Sequence, residues 1–269
     1  MASSSSEFNS ASNPIWVLLR GWTRESRHWR GFPQELSNTL ATDAMGSAKV
    51  ITLDLPGAGT ERGRATPLNI RDIALDVRER FNRQFNGDEY SIFIIGISMG
   101  GMVALEWANL FPKDCSGLVL INSSLASLSP PWSRLKLGNL PKIVQLAFSK
   151  DRVAAEEEVL KLTTHLSNSE IKVIAQEFSK IAEVSPVSKK TFFRQLVAAS
   201  SFFPRRFPTA PALILSSAGD QLVDSSCSEA IARALKSVHE IHPEGGHDLP
   251  LDDPKWVAQR IAAWYRRSM

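Results

Sequence analysis

An α/β fold, with a mostly parallel, doubly wound sheet and an inserted helical cap, is predicted for this chain by three observations. Short apolar runs alternate with helical patterns over residues 15–121. The alternation stops over residues 125–207, where only helical spacing is found, and it returns from residue 212 to the end. Strands that alternate with helices must pair in parallel, with helices on both faces, because each crossover carries the chain back across the sheet.

The elements follow in order. Residues 1–13 are serine-rich, with neither a basic start nor an apolar core, so they read as a disordered tail rather than a secretion signal. The run 15–19 (Ile-Trp-Val-Leu-Leu) is a buried strand leading to Arg20-Gly21-Trp22. Residues 23–31 form a polar loop with His28 and Trp29. Phe32, Leu36 and Leu40 then mark a helix over 32–42. A second strand, 49–53, ends in the turn Asp54-Leu55-Pro56-Gly57-Ala58-Gly59. Ile73, Val77 and Phe81 give residues 70–85 one apolar helical face. Strands are expected at 92–95, 118–121, 212–216 and 238–241, with later helices at 226–235 and 254–267. The helices within 125–207 are bracketed by Pro130-Pro131 and by Pro204 with Pro208, and His165 falls inside one of their patterns. Residues 14–124 and 208–269 therefore form the core, and 125–207 the cap.

Composition narrows the function classes. A chain of 269 residues with 43% hydrophobic and 22% charged residues is ordinary for a globular enzyme-sized domain. A net charge of +3, with no basic tract interleaved with aromatics, argues against nucleic acid. No apolar run reaches the length of a membrane span. Two cysteines, Cys115 and Cys227, leave no disulfide framework, and the default is then a reducing, cytoplasmic setting. The segment 125–207 carries 13 Lys/Arg against 7 Asp/Glu, a net of +6, whereas the remainder is net −3. Such a cap either attracts an anionic or carrier-bound substrate or simply presents solvated helix faces; the second is the commoner cause.

The chemistry centres on Gly96-Ile97-Ser98-Met99-Gly100-Gly101, between the apolar strand and a helix through Met102, Val103, Leu105, Trp107 and Ala108. Buried strand, Gly-x-Ser-x-Gly turn and buried helix together make a nucleophile elbow. A serine held out of so sharp a turn needs neighbours without side chains two positions before and after it. The following helix aims its amides at developing negative charge. A phosphate-binding turn is disfavoured, since neither Gly-x-x-x-x-Gly-Lys nor Gly-x-Gly-x-x-Gly is present. A serine hydroxyl needs a base, and the base an orienting carboxylate. In chain order these are expected after later strands, where Gly219-Asp220 and Gly245-Gly246-His247 stand. Asp220 is the favoured acid. Asp224 is the runner-up, with a helix-capping role as its other reading. His247 is preferred over His28, His165, His239 and His242 because glycines precede it in a loop. Oxyanion donors are expected from the N–H groups of Met99 and Trp22. The Trp22 side chain either lines the acyl pocket or packs under the cap.

With Ser98, Asp220 and His247 in order, the chain resembles the α/β-hydrolase superfamily from residue 15 to 267. More loosely, through Gly21-Trp22, the helical cap and its small size, it is similar to bacterial carboxylesterases of the pimeloyl-carrier-protein methyl ester esterase type. Two departures stand out. Arg20 replaces the histidine common before the oxyanion-loop glycine; it is expected to pair with Asp54 rather than to face an anionic substrate. The two leading antiparallel strands usual in the superfamily are expected to be absent.

The resemblance implies a serine hydrolase of carboxylic esters or thioesters acting through an acyl-enzyme, with no metal or organic cofactor; whether it works as monomer or homodimer is left open by the sequence. Its competitors are C–C hydrolysis or perhydrolysis by the same triad, and a ligand-binding protein with little turnover.

Overall fold

The computed structural model of the chain describes residues 14–42, 48–85 and 90–268. The expected tail at 1–13 lies outside the described residues. Six strands form one sheet: β1 (Ile15–Leu19), β2 (Lys49–Leu53), β3 (Ile92–Ile97), β4 (Cys115–Ile121), β5 (Ala212–Ser217) and β6 (Val238–His242). Their order is β2-β1-β3-β4-β5-β6, and all five pairings are parallel. None of the described residues adds an antiparallel strand ahead of β1.

Both sheet faces are apolar, which is why the strands read as unbroken hydrophobic runs. In β1, Ile15, Val17 and Leu19 enter one core and Trp16 and Leu18 the other. The first core is closed by α2 (Ile70–Gln84), α3 (Met99–Leu110) and, near β5, α9 (Ser225–Leu235). The second is closed by α1 (Phe32–Thr42) and the last helix, α11 (Pro254–Ser268); Trp16 stacks on Phe93 there, 4.4 Å between centroids. Each fully buried Leu, Ile or Phe in these layers contributes roughly 1.5–3 kcal/mol.

Strand β4 begins three residues before its apolar run. Gly117 pairs with Phe93, and a Cβ at Gly117 would stand 2.6 Å from the Phe93 ring, so the ring occupies the space that a side chain would take. Cys115 and Cys227 are buried and unpaired.

Between β4 and β5 the described chain is helical: α4 (Pro131–Arg134), α5 (Leu140–Ala147), α6 (Arg152–Thr163), α7 (Asn168–Val184) and α8 (Lys189–Ser200). Helices α6 and α7 build a small core of their own from Leu160, Ile171, Ile174 and Phe178. His165 is not within a helix, contrary to its periodicity. Ser167 caps α7 through a reciprocal box with Glu170, and Thr164 is extended, so residues 164–167 form a loop. The short α10 (Leu249–Asp252) precedes α11.

The strand order reverses at β1, with β2 on one side and β3 on the other. Ligand crevices in open parallel sheets form outside the carboxyl ends of strands at such a reversal. The loops carrying Gly21 and Ser98 both start there.

Candidate active site

Ser98 follows β3 directly, with φ 56° and ψ −121°, a conformation that costs a non-glycine residue roughly 1–3 kcal/mol. The surroundings hold it there. Its N–H donates to the Ile121 carbonyl at 2.8 Å, and its carbonyl accepts from Ser123 Oγ at 2.8 Å. A Cβ on Gly96 would lie 2.3 Å from the Gly100 carbonyl oxygen, and one on Gly100 would lie 2.2 Å from the Leu19 carbonyl oxygen. The glycines thus let strand β3, helix α3 and strand β1 come together beneath the serine.

Gly21 packs on the serine itself: a Cβ there would stand 3.0 Å from Ser98 Cβ and 3.6 Å from its Oγ. This brings the loop after β1 alongside the elbow, with Trp22 next in the chain. Among the described residues no acceptor takes the Trp22 N–H or the Met99 N–H. The Trp22 side chain lines the cavity above Ser98, and it packs under α8, its indole N–H donating to the Phe192 carbonyl at 3.0 Å.

His247 Nδ1 meets Asp220 Oδ2 at 2.7 Å, both side chains buried. The other carboxylate oxygen of Asp220 accepts the Leu222 and Val223 N–H groups at 2.7 and 2.9 Å. With the carboxylate so oriented, Nδ1 carries the proton and Nε2 is left as the basic nitrogen. Burial opposes charge on this imidazole, but the Asp220 carboxylate and its hydrogen bond outweigh that, and the pKa is raised above the ordinary 6.5. Asp224 instead caps α9, accepting the Ser226 N–H at 3.0 Å.

The remaining histidines have other partners. His28 lies in a 3₁₀ turn, Ser26–Trp29, not in an open loop; it is buried edge-on to Phe178. Desolvation, helped by Arg24 and Arg20, keeps its pKa well below the ordinary value. His239 bonds Ser216 Oγ at 2.8 Å, and His242 Nδ1 accepts the Gly245 N–H at 2.7 Å.

Ser98, Met99, Trp22 and His247 border one cavity of about 490 Å³. Its walls are mostly apolar and come largely from the helical segment, including Leu146 of α5, Val159 and Leu162 of α6 and Phe192 of α8. Among the described residues no group of three or more His, Cys, Asp or Glu side chains is placed to hold a metal ion, and no helix is long and apolar enough to cross a membrane.

Three features of the site were not anticipated. Arg20 does not pair with Asp54. It makes two bonds to Asp248, Nη1–Oδ1 at 2.9 Å and Nη2–Oδ2 at 2.5 Å, because the Asp54 oxygens are already taken by Ser26 and Thr60. Asn122, in the left-handed region after β4, donates from Nδ2 to the Gly246 and His247 carbonyls at 3.1 and 2.9 Å. The end of α6 and the loop after it also touch the loops that carry Asp220 and His247. The Thr163 carbonyl accepts the Asp248 N–H at 2.8 Å, and His165 Nε2 lies 3.1 Å from the Gly219 carbonyl. An Asn-Ser-Ser turn at a strand end was the available signal for Asn122; nothing local marks the other two.

A strained serine at a sheet reversal, sharing one cavity with a carboxylate-bound histidine, is the architecture of the α/β hydrolases. The chain belongs to that family: the family model described as alpha/beta hydrolase fold matches residues 14–254. It is 22% identical over 269 residues to the biotin biosynthesis bifunctional protein BioHC of Teredinibacter turnerae, covering 94% of this chain but only 45% of that protein. The chain thus spans under half the length of this relative. Among solved structures it is similar to a non-heme bromoperoxidase, BpoC, of Mycobacterium tuberculosis H37Rv, with a TM-score of 0.72, 16% identity and coverage of 96% and 94% of the two chains. A thermophilic esterase from Thermogutta terrifontis gives a TM-score of 0.68, 18% identity and coverage of 96% and 91%.

Proposed function

We propose that the protein is a serine hydrolase cleaving carboxylic esters or thioesters through an acyl-enzyme, with Ser98 as nucleophile, His247 as base and Asp220 as its orienting acid. The observation that carries the reading is that a strained Ser98 and the Asp220-bound His247 border one largely apolar cavity. His247 Nε2 takes the Ser98 Oγ proton as the oxygen attacks the acyl carbon. The N–H groups of Met99 and Trp22 receive the oxyanion. The imidazolium then returns its proton to the leaving alcohol or thiol. Water deprotonated by the same nitrogen hydrolyses the acyl-serine and restores the hydroxyl. Asp220 stays ionised and fixes the imidazole tautomer. No cofactor enters this scheme.

Residues 125–207 act in this reading as a cap whose α5, α6 and α8 side chains select the acyl part. The relation to BioHC and the basic character of residues 125–207 leave a carrier-bound acyl group among the substrates to test. The two free cysteines favour a reducing, cytoplasmic setting.

Turnover of p-nitrophenyl butyrate tests the reading. Ser98→Ala is expected to lower kcat at least about 10³-fold, the scale of losing a triad member. Equal rates for the variant and the native protein end the proposal.

A further inference from the structure

We propose that Arg20 and Asp248 form a positioning pair that clamps the oxyanion loop after β1 to the histidine loop after β6, across the top of the elbow. The inference rests on the serine-hydrolase reading and concerns how its parts are held together.

The two residues lie 228 positions apart, and strands β3, β4 and β5 separate β1 from β6. At sheet spacing that is about 19 Å between strand axes. The Arg20–Asp248 contact spans that separation. Each partner is joined to a working part of the site. Arg20 precedes Gly21, which packs on Ser98, and Trp22, whose N–H is the second oxyanion donor in the serine-hydrolase reading. Asp248 follows His247 directly.

The contact is a two-pronged fork, 2.9 and 2.5 Å, that only a guanidinium makes with a carboxylate. Arg20 is 4% exposed and Asp248 6%, so the pair is out of water. The guanidinium also stacks 4.7 Å from the Trp29 ring centroid, which fixes its plane. The backbone of Asp248 is held separately through Thr163. Apolar residues of the same size would hold a core at least as well. The fork instead supplies a fixed distance and angle between two loops that strand pairing does not connect.

The pair has an electrostatic signature as well. His247 is faced by Asp220 and Asp248, which favour its protonated form, and by Arg20, which together with burial opposes it. Within an intact pair the two outer charges offset each other. Arg20→Gln leaves the Asp248 anion acting alone and raises the imidazole pKa. Asp248→Asn leaves the Arg20 cation and lowers it.

The test is a steady-state pH profile of p-nitrophenyl butyrate hydrolysis for the native protein, Arg20→Gln, Asp248→Asn and the double variant. Ser98→Ala is run beside them, and each protein's melting is followed by circular dichroism. We expect each single variant to lose about 10- to 100-fold in kcat, the scale of a misplaced catalytic group, with a smaller change in KM. The double variant should lose no more than the worse single one. The acid limb of kcat/KM should move to higher pH in Arg20→Gln and to lower pH in Asp248→Asn. A residue with only a packing role would not split the limb in this way. If the neutral variants do not fold, Arg20→Lys and Asp248→Glu keep both charges; these should lower kcat with the limb unmoved. Native kcat in the pair variants, or limbs that stay together in the folded neutral ones, overturns the clamp while loss of activity in Ser98→Ala leaves the hydrolase reading standing. Native turnover in Ser98→Ala overturns both.

Discussion

At the scale of single residues, two aspartates four positions apart do different work. Asp220 uses one oxygen on His247 Nδ1 and the other on two backbone N–H groups, whereas Asp224 caps α9. Asp220→Asn should therefore lower kcat by roughly 10³–10⁴-fold with little change in melting temperature, since it disturbs the tautomer of the base. Asp224→Ala should do the reverse: a loss of about 1 kcal/mol in urea unfolding with native kcat. The pH dependence follows from His247. Its pKa is raised and the base must be neutral, so kcat/KM should fall on acidification through a midpoint above 6.5. The same raised value contributes stability that is fully present below about pH 6.5 and is lost as pH rises through the folded-state pKa. Asp220→Asn removes the partner that raises it and should bring the rate midpoint down. A midpoint below 6.5 in the native protein would contradict this assignment of the base.

At the scale of elements, the strand–turn–helix unit around Ser98 depends on backbone approach. Gly100 is the sharpest case, because a methyl group there meets the main-chain oxygen of Leu19 and not a side chain that can swing away. Gly100→Ala should cost about 1–3 kcal/mol by overpacking, a drop of roughly 2–4 °C in Tm per kcal/mol for a domain of this size. It should also lower kcat, by moving β1 and the Gly21 loop away from the serine. These elements were readable in the chain because their cause is local. Unbroken apolar runs mark strands buried on both faces, and glycines at fixed offsets mark the elbow. Where the local signal misled, a neighbouring element had intervened. Periodicity ran a helix through His165, but the Ser167–Glu170 box restarts the chain two residues later. Strand β4 extends back to Cys115 because Phe93 fills the place of a side chain at Gly117.

At the scale of the whole molecule, the serine, acid and histidine could be placed in order from the sequence because each follows its own strand. Which charges pair across loops could not. Arg20 had a nearer candidate in Asp54, and only the folded chain shows Asp54 occupied by Ser26 and Thr60. The cavity above Ser98 is likewise assembled from distant helices. Its walls of Leu146, Val159, Leu162 and Phe192 come from three helices of the 125–207 segment, and no one stretch of sequence outlines it. An apolar cavity of about 490 Å³ should favour longer acyl chains. Along a p-nitrophenyl ester series kcat/KM should rise from acetate upward, by at most about fourfold per methylene if each adds ~0.8 kcal/mol. Leu162→Trp should shorten the preferred chain. A flat series would mean that the cavity does not receive the acyl group.

Covalent capture of the nucleophile probes the central claim most directly. After treatment with a fluorophosphonate, peptide mass spectrometry of the native protein should find one adduct, on Ser98. The His247→Ala variant should show the same adduct forming far more slowly. A folded protein that stays unlabelled, or that carries the phosphonate on another residue, would contradict the account.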